Sequence, residues 1–490
     1  MLTRAAGTTL TEQLAQRFAE RIHARLLAPG ARLPSVRDCA QRHGVSPHTV
    51  VAAYDQLLAQ GLIEARRQRG FFVRAQPAPL ARSPLGEAGE GGPRLAAPVD
   101  ATALIRSMFQ APGSRAAPGS GTLPADWLDL PLLAGALRRV AQADRLASHA
   151  LHYGDPAGDE RLRHALVPRL ADVGVQAEPQ QIVTTLGATQ ALDIVSRALL
   201  APGDAVLVDD PGWAVEFARL ARLGMRILPV PRGAGGVDFT AMQQLVAEHR
   251  PRLYVTTSVL HNPTGHSLTL GQAHRLLTLA QAQDFHIVED DTYAWLAVPH
   301  APRMAALDGL QRTIYISGFS KILAPAWRVG YVAAPKALVA RIVDVKLLTS
   351  LTTPAITEQA VAACLEQGAL RRHAERVRAR LATASSRCLA LATEHGCTPA
   401  TPAHGLFAWI ETHTDTDRLA QLLLDDGWLT APGSLFHASH RPSGLMRVNV
   451  ATSLDPAFWR ALATRRAELS QRPNLRVAPE PEAPAIPGSA

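Results

Sequence analysis

The chain has 490 residues, of which 47% are hydrophobic and 19% charged. That is room for two or three domains with sizeable cores, and the composition is that of an ordinary soluble protein. The opening residues lack the apolar core of a signal peptide, no apolar run is long enough to span a bilayer, and Cys39, Cys364, Cys388 and Cys397 are scattered without metal-type pairing. The expectation is a cytoplasmic protein with no membrane partner and no metal site.

The formal net charge is +8, and it is unevenly placed. Residues 1–76 hold eleven arginines against five acids, an excess of six positive charges in the first sixth of the chain. Such asymmetry points to a nucleic-acid-binding end on a near-neutral body.

In that end, Leu14, Phe18, Ile22 and Leu26 recur at helical spacing, and Pro29-Gly30 stops the pattern. Ser35 is placed to cap a second, short helix, with Asp38 completing a capping-box pattern. Gly44 ends it, and Ser46-Pro47 begins a third as N-cap and first helical residue. This third helix carries Val50, Tyr54, Leu57 and Leu58 on one side and exposes Ser46, His48 and Thr49 at its start. Two short helices joined by a glycine turn make a helix-turn-helix, and two β segments around a basic tip make a wing.

Residues 10–75 resemble the winged helix-turn-helix of GntR-type repressors, through Arg32-Leu-Pro-Ser-Val-Arg37, Ser46-Pro-His-Thr-Val50 and the closing Gly70-Phe-Phe-Val73. The resemblance implies double-stranded DNA as partner. Arg32, Arg37, Arg66 and Arg67 would hold backbone or groove, and His48 and Thr49 would read bases. Capping by Ser35 and Ser46 does not compete with contact, because a helix amino terminus is itself a phosphate site. One departure is the tip, where Arg-Gln-Arg-Gly replaces a more glycine-rich turn.

Residues 77–97 carry proline, glycine and alanine without a hydrophobic period and read as a flexible linker; 98–470 form the large domain, and 471–490 a disordered tail. Within the large domain, apolar segments at 182–185, 205–209, 253–257, 285–289 and 313–317 alternate with stretches of helical length. The fold class is a mostly parallel α/β sheet covered by helices. Just past the ends of those strands stand Gly187-Ala188-Thr189, Trp213, Asn262, Asp290 and Lys321, on the edge where open α/β sheets bind ligands.

Lys321 is one of only three lysines among 50 basic residues. Arginine cannot be deprotonated in a protein, whereas a lysine amine can become the neutral nucleophile that forms a Schiff base. Residues 315–330, with Ser320, Lys321 and Arg328, resemble the lysine segment of fold-type I aminotransferases, which hold pyridoxal 5'-phosphate (PLP). The resemblance spans roughly 98–470 and implies roles for each of these residues. Gly187, Ala188, Thr189, Ser320 and Arg328 would hold the phosphate, and Trp213 would face the ring. Asp290 would keep the ring nitrogen protonated, while Asn262 and Tyr293 would donate to the phenolic oxygen. Arg447 would hold an effector or substrate carboxylate, and Tyr153 would reach the phosphate of a second subunit, implying a homodimer. Taken singly, Gly187 could serve packing, Trp213 the core, residues 289–291 capping or a metal, and Arg447 an ion pair. Gly318 departs from relatives that place a hydroxyl three residues before the lysine, and Ser317 is the nearest replacement.

Joined, the two halves resemble MocR-type regulators. The function expected is a PLP-dependent, DNA-binding transcriptional regulator that senses PLP, an amino acid or an amine. The alternative is an active PLP-dependent aminotransferase carrying an accessory DNA-binding domain.

Overall fold

The computed structural model describes residues 9–23, 27, 30–66, 69–74, 117–142, 151–298, 300–366 and 368–471. Leu26, Arg67, the expected linker 77–97 and the tail after Gln471 lie outside the described residues. The chain divides into two compact units, Met1–Pro112 and Gly113–Ala490.

In the first unit, α1 (Leu10–His23), α2 (Val36–His43) and α3 (Pro47–Ala59) precede a hairpin of β1 (Ile63–Arg66) and β2 (Gly70–Val73). The local chemistry sets these boundaries. Ser35 Oγ accepts from Asp38 N at 3.2 Å and Ser46 Oγ from Thr49 N at 3.1 Å, which satisfies one free amide at each helix start. Gly44 ends α2 at φ 63°, a left-handed conformation that glycine adopts cheaply. Leu14, Phe18, Val50, Tyr54 and Leu57 close the core, and Tyr54 Oη donates to Pro34 O at 2.9 Å. Thr9 and Glu12 form a reciprocal cap on α1 that extends it one turn ahead of the apolar repeat.

In the second unit, β3 (Ile182–Thr185), β4 (Ala205–Asp210), β5 (Arg226–Gly233), β6 (Gly236–Val237), β7 (Leu253–Thr256), β8 (His286–Asp290), β9 (Thr313–Gly318) and β10 (Gly330–Ala333) form one sheet, in the order β3-β10-β9-β8-β7-β4-β5-β6. Strands β9, β8, β7, β4 and β5 run parallel, while β10 is antiparallel to both neighbours and β6 to β5. Helices Ala188–Leu199, Ala214–Arg222 and Lys336–Ser350 pack on one face, and Phe239–His249 and Leu270–Ala282 on the other. All five expected strands are present, shifted by at most a residue at either end. Strand β5 escapes the apolar pattern because Pro229 and Pro231 interrupt it, and its burial alternates.

A second sheet of β11 (Thr398–Pro399), β12 (Phe407–Glu411), β13 (Ala431–Pro432) and β14 (Leu445–Asn449) has the order β11-β12-β14-β13 and is wholly antiparallel. It places Arg447 opposite Trp409 and Ala431, with its side chain buried.

Candidate functional site

Strand β3 runs into Gly187, whose φ of 84° turns the backbone into the start of helix Ala188–Leu199. The first amides of that helix precede its hydrogen-bond ladder and carry the positive end of its dipole. Arg328, itself left-handed at φ 51°, folds back onto this turn. Its Nη2 donates to Leu186 O at 2.8 Å and its Nη1 to Ser320 Oγ at 3.2 Å. The approach is close enough that a Cβ on Gly187 would stand 2.6 Å from Arg328 Nη2. Gly187, Ala188, Ser320 and exposed Arg328 thus converge into a cationic cup, and Thr189, exposed, is the next residue of the helix.

Gly318 faces the same helix start, with the position of a Cβ 3.7 Å from Ala188 N. Ser317 is no substitute for a hydroxyl there. Strand alternation turns it to the other face, where its Oγ donates to Asp291 O at 2.8 Å.

Lys321 lies just beyond β9, half-buried, with Nζ donating to Gly121 O at 2.8 Å. Burial lowers its amine to about 8, helped by the Arg447 and Arg328 charges and opposed by Asp290. Asp290, at the end of β8, accepts from Thr292 N at 3.0 Å and from the Thr292 hydroxyl; burial pushes its carboxyl up to about 6. Trp213 and Asp290 line one small cavity. Burial raises the Tyr293 phenol, and the Asn262 side chain hydrogen-bonds to it. Arg447 Nη1 in turn donates to Asn262 Oδ1 at 3.0 Å.

The Arg447 guanidinium lies over Phe407 at 4.3 Å and Phe436 at 5.0 Å, and its Nη2 donates to Gly119 O at 2.7 Å. Burial lowers it to about 10, and its Nε has no partner. The segment from Gly119 to Gly121 therefore meets both Arg447 and Lys321. Sequence reading passed over it, although its Pro-Gly-Ser-Gly run is a turn pattern that could have drawn attention.

The run 289–291 is three acids with three environments. Glu289 accepts from Met304 N and Ala305 N at 2.8 Å each, Asp291 pairs with Arg303 at 2.9 Å, and Asp290 alone faces the site. Among the described residues no acid, cysteine and histidine cluster could hold a metal. Tyr153 is 85% exposed and does not join the cluster within one chain.

In the first unit, Arg37 and His48 are exposed, Arg32 packs beside Gly70 of the wing, and the Thr49 hydroxyl bonds that of Ser46. Arg66 pairs with Glu64 at 2.7 Å and lies over the Phe72 ring.

Residues 127–465 match the family of aminotransferases class I and II, and residues 10–73 match the bacterial regulatory proteins of the gntR family. The chain is 29% identical over 456 residues to the uncharacterized HTH-type transcriptional regulator YdcR of Escherichia coli K12, covering 90% of this chain and 94% of that one. It is 31% identical over 411 residues to the probable rhizopine catabolism regulatory protein MocR of Rhizobium meliloti, covering 81% and 79%. Among solved structures, LysN, the α-aminoadipate aminotransferase of Thermus thermophilus complexed with N-(5'-phosphopyridoxyl)-L-leucine, superposes with a TM-score of 0.68. That match has 25% identity and covers 75% of this chain and 95% of LysN. With a gntR-family domain joined to an aminotransferase class I and II domain over nearly the whole length of such relatives, the chain belongs to the MocR-type transcriptional regulators.

Proposed function

We propose that the large unit binds pyridoxal 5'-phosphate and that this binding, together with an amino acid or amine effector, controls DNA binding by the first unit. The observation that carries the reading is the meeting of four chemically distinct groups at one sheet edge: the cationic cup, a lysine lowered to about 8, a carboxyl raised to about 6, and a buried arginine fork. The donor set fits the cofactor along its whole length. Gly187, Ala188, Thr189, Ser320 and Arg328 suit its phosphate, Trp213 its ring face, Asn262 and Tyr293 its phenolic oxygen, and Asp290 a protonated ring nitrogen. When bound, PLP supplies an aldehyde for amines and a ring that withdraws electrons.

Lys321, the amine for that aldehyde, is lowered to about 8 by burial, so more of it is neutral and nucleophilic near pH 7 than of an ordinary lysine. Arg447 would take the effector carboxylate by exchanging Gly119 O for it. Tyr153, open to solvent here, would complete the phosphate cup of a second copy in a homodimer. An effector can shift DNA binding only through its difference in affinity for two states.

The test is the visible spectrum of the purified chain, with borohydride reduction and peptide mapping. A coloured band that traps pyridoxyl on Lys321 is expected; a colourless protein unchanged by added PLP would remove the cofactor from the reading. Arg37→Ala should abolish operator binding at moderate salt in a gel-shift assay, and unchanged binding would displace α2 from the interface. Intact Lys321, Asp290 and Arg447 also favour a second reading, turnover as an aminotransferase. Sustained conversion of an amino acid and a keto acid, lost in Lys321→Ala, would establish it.

A further inference from the structure

The helix Ala214–Arg222 follows Trp213 directly, and its first turn carries Glu216. An acid there suits the helix dipole, and one placed three residues before an arginine ordinarily makes a surface ion pair. Here the pair is inside. Glu216 is 5% exposed, and Arg219 takes both of its oxygens, Nε donating to Oε2 at 3.1 Å and Nη2 to Oε1. Arg219 is held in turn by helix Ala188–Leu199, where its Nη2 donates to Ser196 Oγ at 3.0 Å and its Nη1 stands 3.8 Å from Asp193. Taking an ion pair out of water is unfavourable, and an apolar pair of the same volume would pack the helix as well.

Glu216 lines the small cavity that Trp213 and Asp290 share, and Arg219 does not, so the cavity meets the acid end of the pair. Leu192, Val208, Phe217 and Val255 make apolar walls, which screen charge poorly. The two carboxyl groups differ in what remains free. Asp290 accepts from Thr292 through Oδ1, whereas both Glu216 oxygens are committed to Arg219. Burial pushes the Asp290 carboxyl up, and the Glu216 and Asp291 charges add to the rise. Asp291 pairs with Arg303 at 2.9 Å and does not line the cavity. A third acid, Asp209, does line it and is already bonded by Arg232 at 2.8 Å and Thr256 Oγ1 at 2.7 Å. On the ligand side the cation nearest in charge to Asp290 is Lys321.

We propose that Glu216 is a positioning residue that acts through Asp290: its fixed charge on the shared cavity makes Asp290 hold the proton of the cofactor's ring nitrogen more firmly. The inference rests on the proposed reading of Asp290 as the partner of that nitrogen. A negative charge that Arg219 keeps in place favours a positive ring nitrogen over a neutral one, and it does so whether or not Asp290 itself is ionised.

Binding titrations of the full chain, read by quenching of tryptophan fluorescence, test the proposal with two probes, PLP and its deaza analogue, in which a C–H replaces the ring nitrogen. The wild type should bind PLP more tightly than the analogue. Glu216→Gln keeps the size of the side chain and removes its charge; it should shrink that preference at least about threefold and leave the affinity for the analogue unchanged. Asp290→Asn should abolish the preference. If the uncompensated Arg219 charge prevents Glu216→Gln from folding, the double variant Glu216→Gln/Arg219→Gln removes the pair together and should give the same result. Equal weakening of PLP and analogue would make Glu216 a purely structural acid, and an undiminished preference would leave it without a part; either overturns the inference while the reading of Asp290 stands. A wild type that binds the two alike, or a preference that survives Asp290→Asn, would take the ring nitrogen away from Asp290 and overturn both.

Discussion

Two lysines of the large unit make an instructive pair. Burial lowers both Lys321 and Lys346 to about 8, in a chain that otherwise relies on arginine. Lys346 is fully buried on the helix Lys336–Ser350, with Nζ 3.4 Å from Thr184 Oγ1. Thr184 bonds Thr353 at 2.9 Å, Thr353 donates to Glu358, and Glu358 also accepts from Asp159 N at 3.2 Å. That is a closed network pinning the loop before helix Glu160–Ala171. Lys321 has the same basicity but touches only a backbone carbonyl, and its neighbours are groups suited to a ligand. Depressed basicity therefore marks burial, and it is the surroundings that separate a reactive amine from a structural one.

The largest expected contrast is in covalent trapping. With PLP and borohydride, Lys321→Ala should lose all label from the site peptide, whereas Lys346→Met should keep it in full. Equal loss in both would dissolve the distinction. Labelling of Lys321 should rise through about pH 8, well below the ~10.4 of an ordinary lysine. For stability the two buried amines act alike. Between pH 8 and the ordinary lysine value the unfolded chain holds more protons than the folded one, so both add stability as pH rises through that window and lose it on the way down.

Sequence made one half of this contrast readable. The run from β9 to Lys321 and the Gly187 turn are local patterns, and each strand end announces the residue beyond it. The closure of the site over Arg447 is not local. Its partners Asn262 and Gly119 lie 185 and 328 residues away, and only the small sheet brings them together. Lys346 was invisible for a similar reason, since its helix has no marked apolar face and its burial comes from tertiary packing alone. Ser317 shows a finer limit. Neighbours along a strand point to opposite faces, so a hydroxyl one residue early is on the wrong side.

Asp290→Asn should come next in size. In the proposed reading it removes a charged partner for the ring nitrogen, roughly 1.5–3 kcal/mol, so PLP affinity should fall by about ten- to a hundredfold in absorbance titrations. An unchanged affinity would leave Asp290 with only its Thr292 contacts to explain it. Lys346→Met should leave PLP affinity alone and remove the share that Lys346 contributes to the rise in unfolding stability between pH 8 and the ordinary lysine value, read as a flatter pH dependence in urea.

The smallest effect tests how far neighbours, rather than basicity, define the lysine site. At Gly318 a Cβ would sit 3.3 Å from Val329 O, a tight fit, and 3.7 Å from Ala188 N, on the side of the cationic cup. Gly318→Ala should therefore bring only the steric cost, seen as a small drop in thermal stability. Gly318→Ser adds a donor where the phosphate is expected and should bind PLP roughly two- to tenfold more tightly than Gly318→Ala, the worth of one ordinary hydrogen bond. Equal affinities for the two variants would move the phosphate away from the start of helix Ala188–Leu199, and with it the cup that distinguishes Lys321 from Lys346.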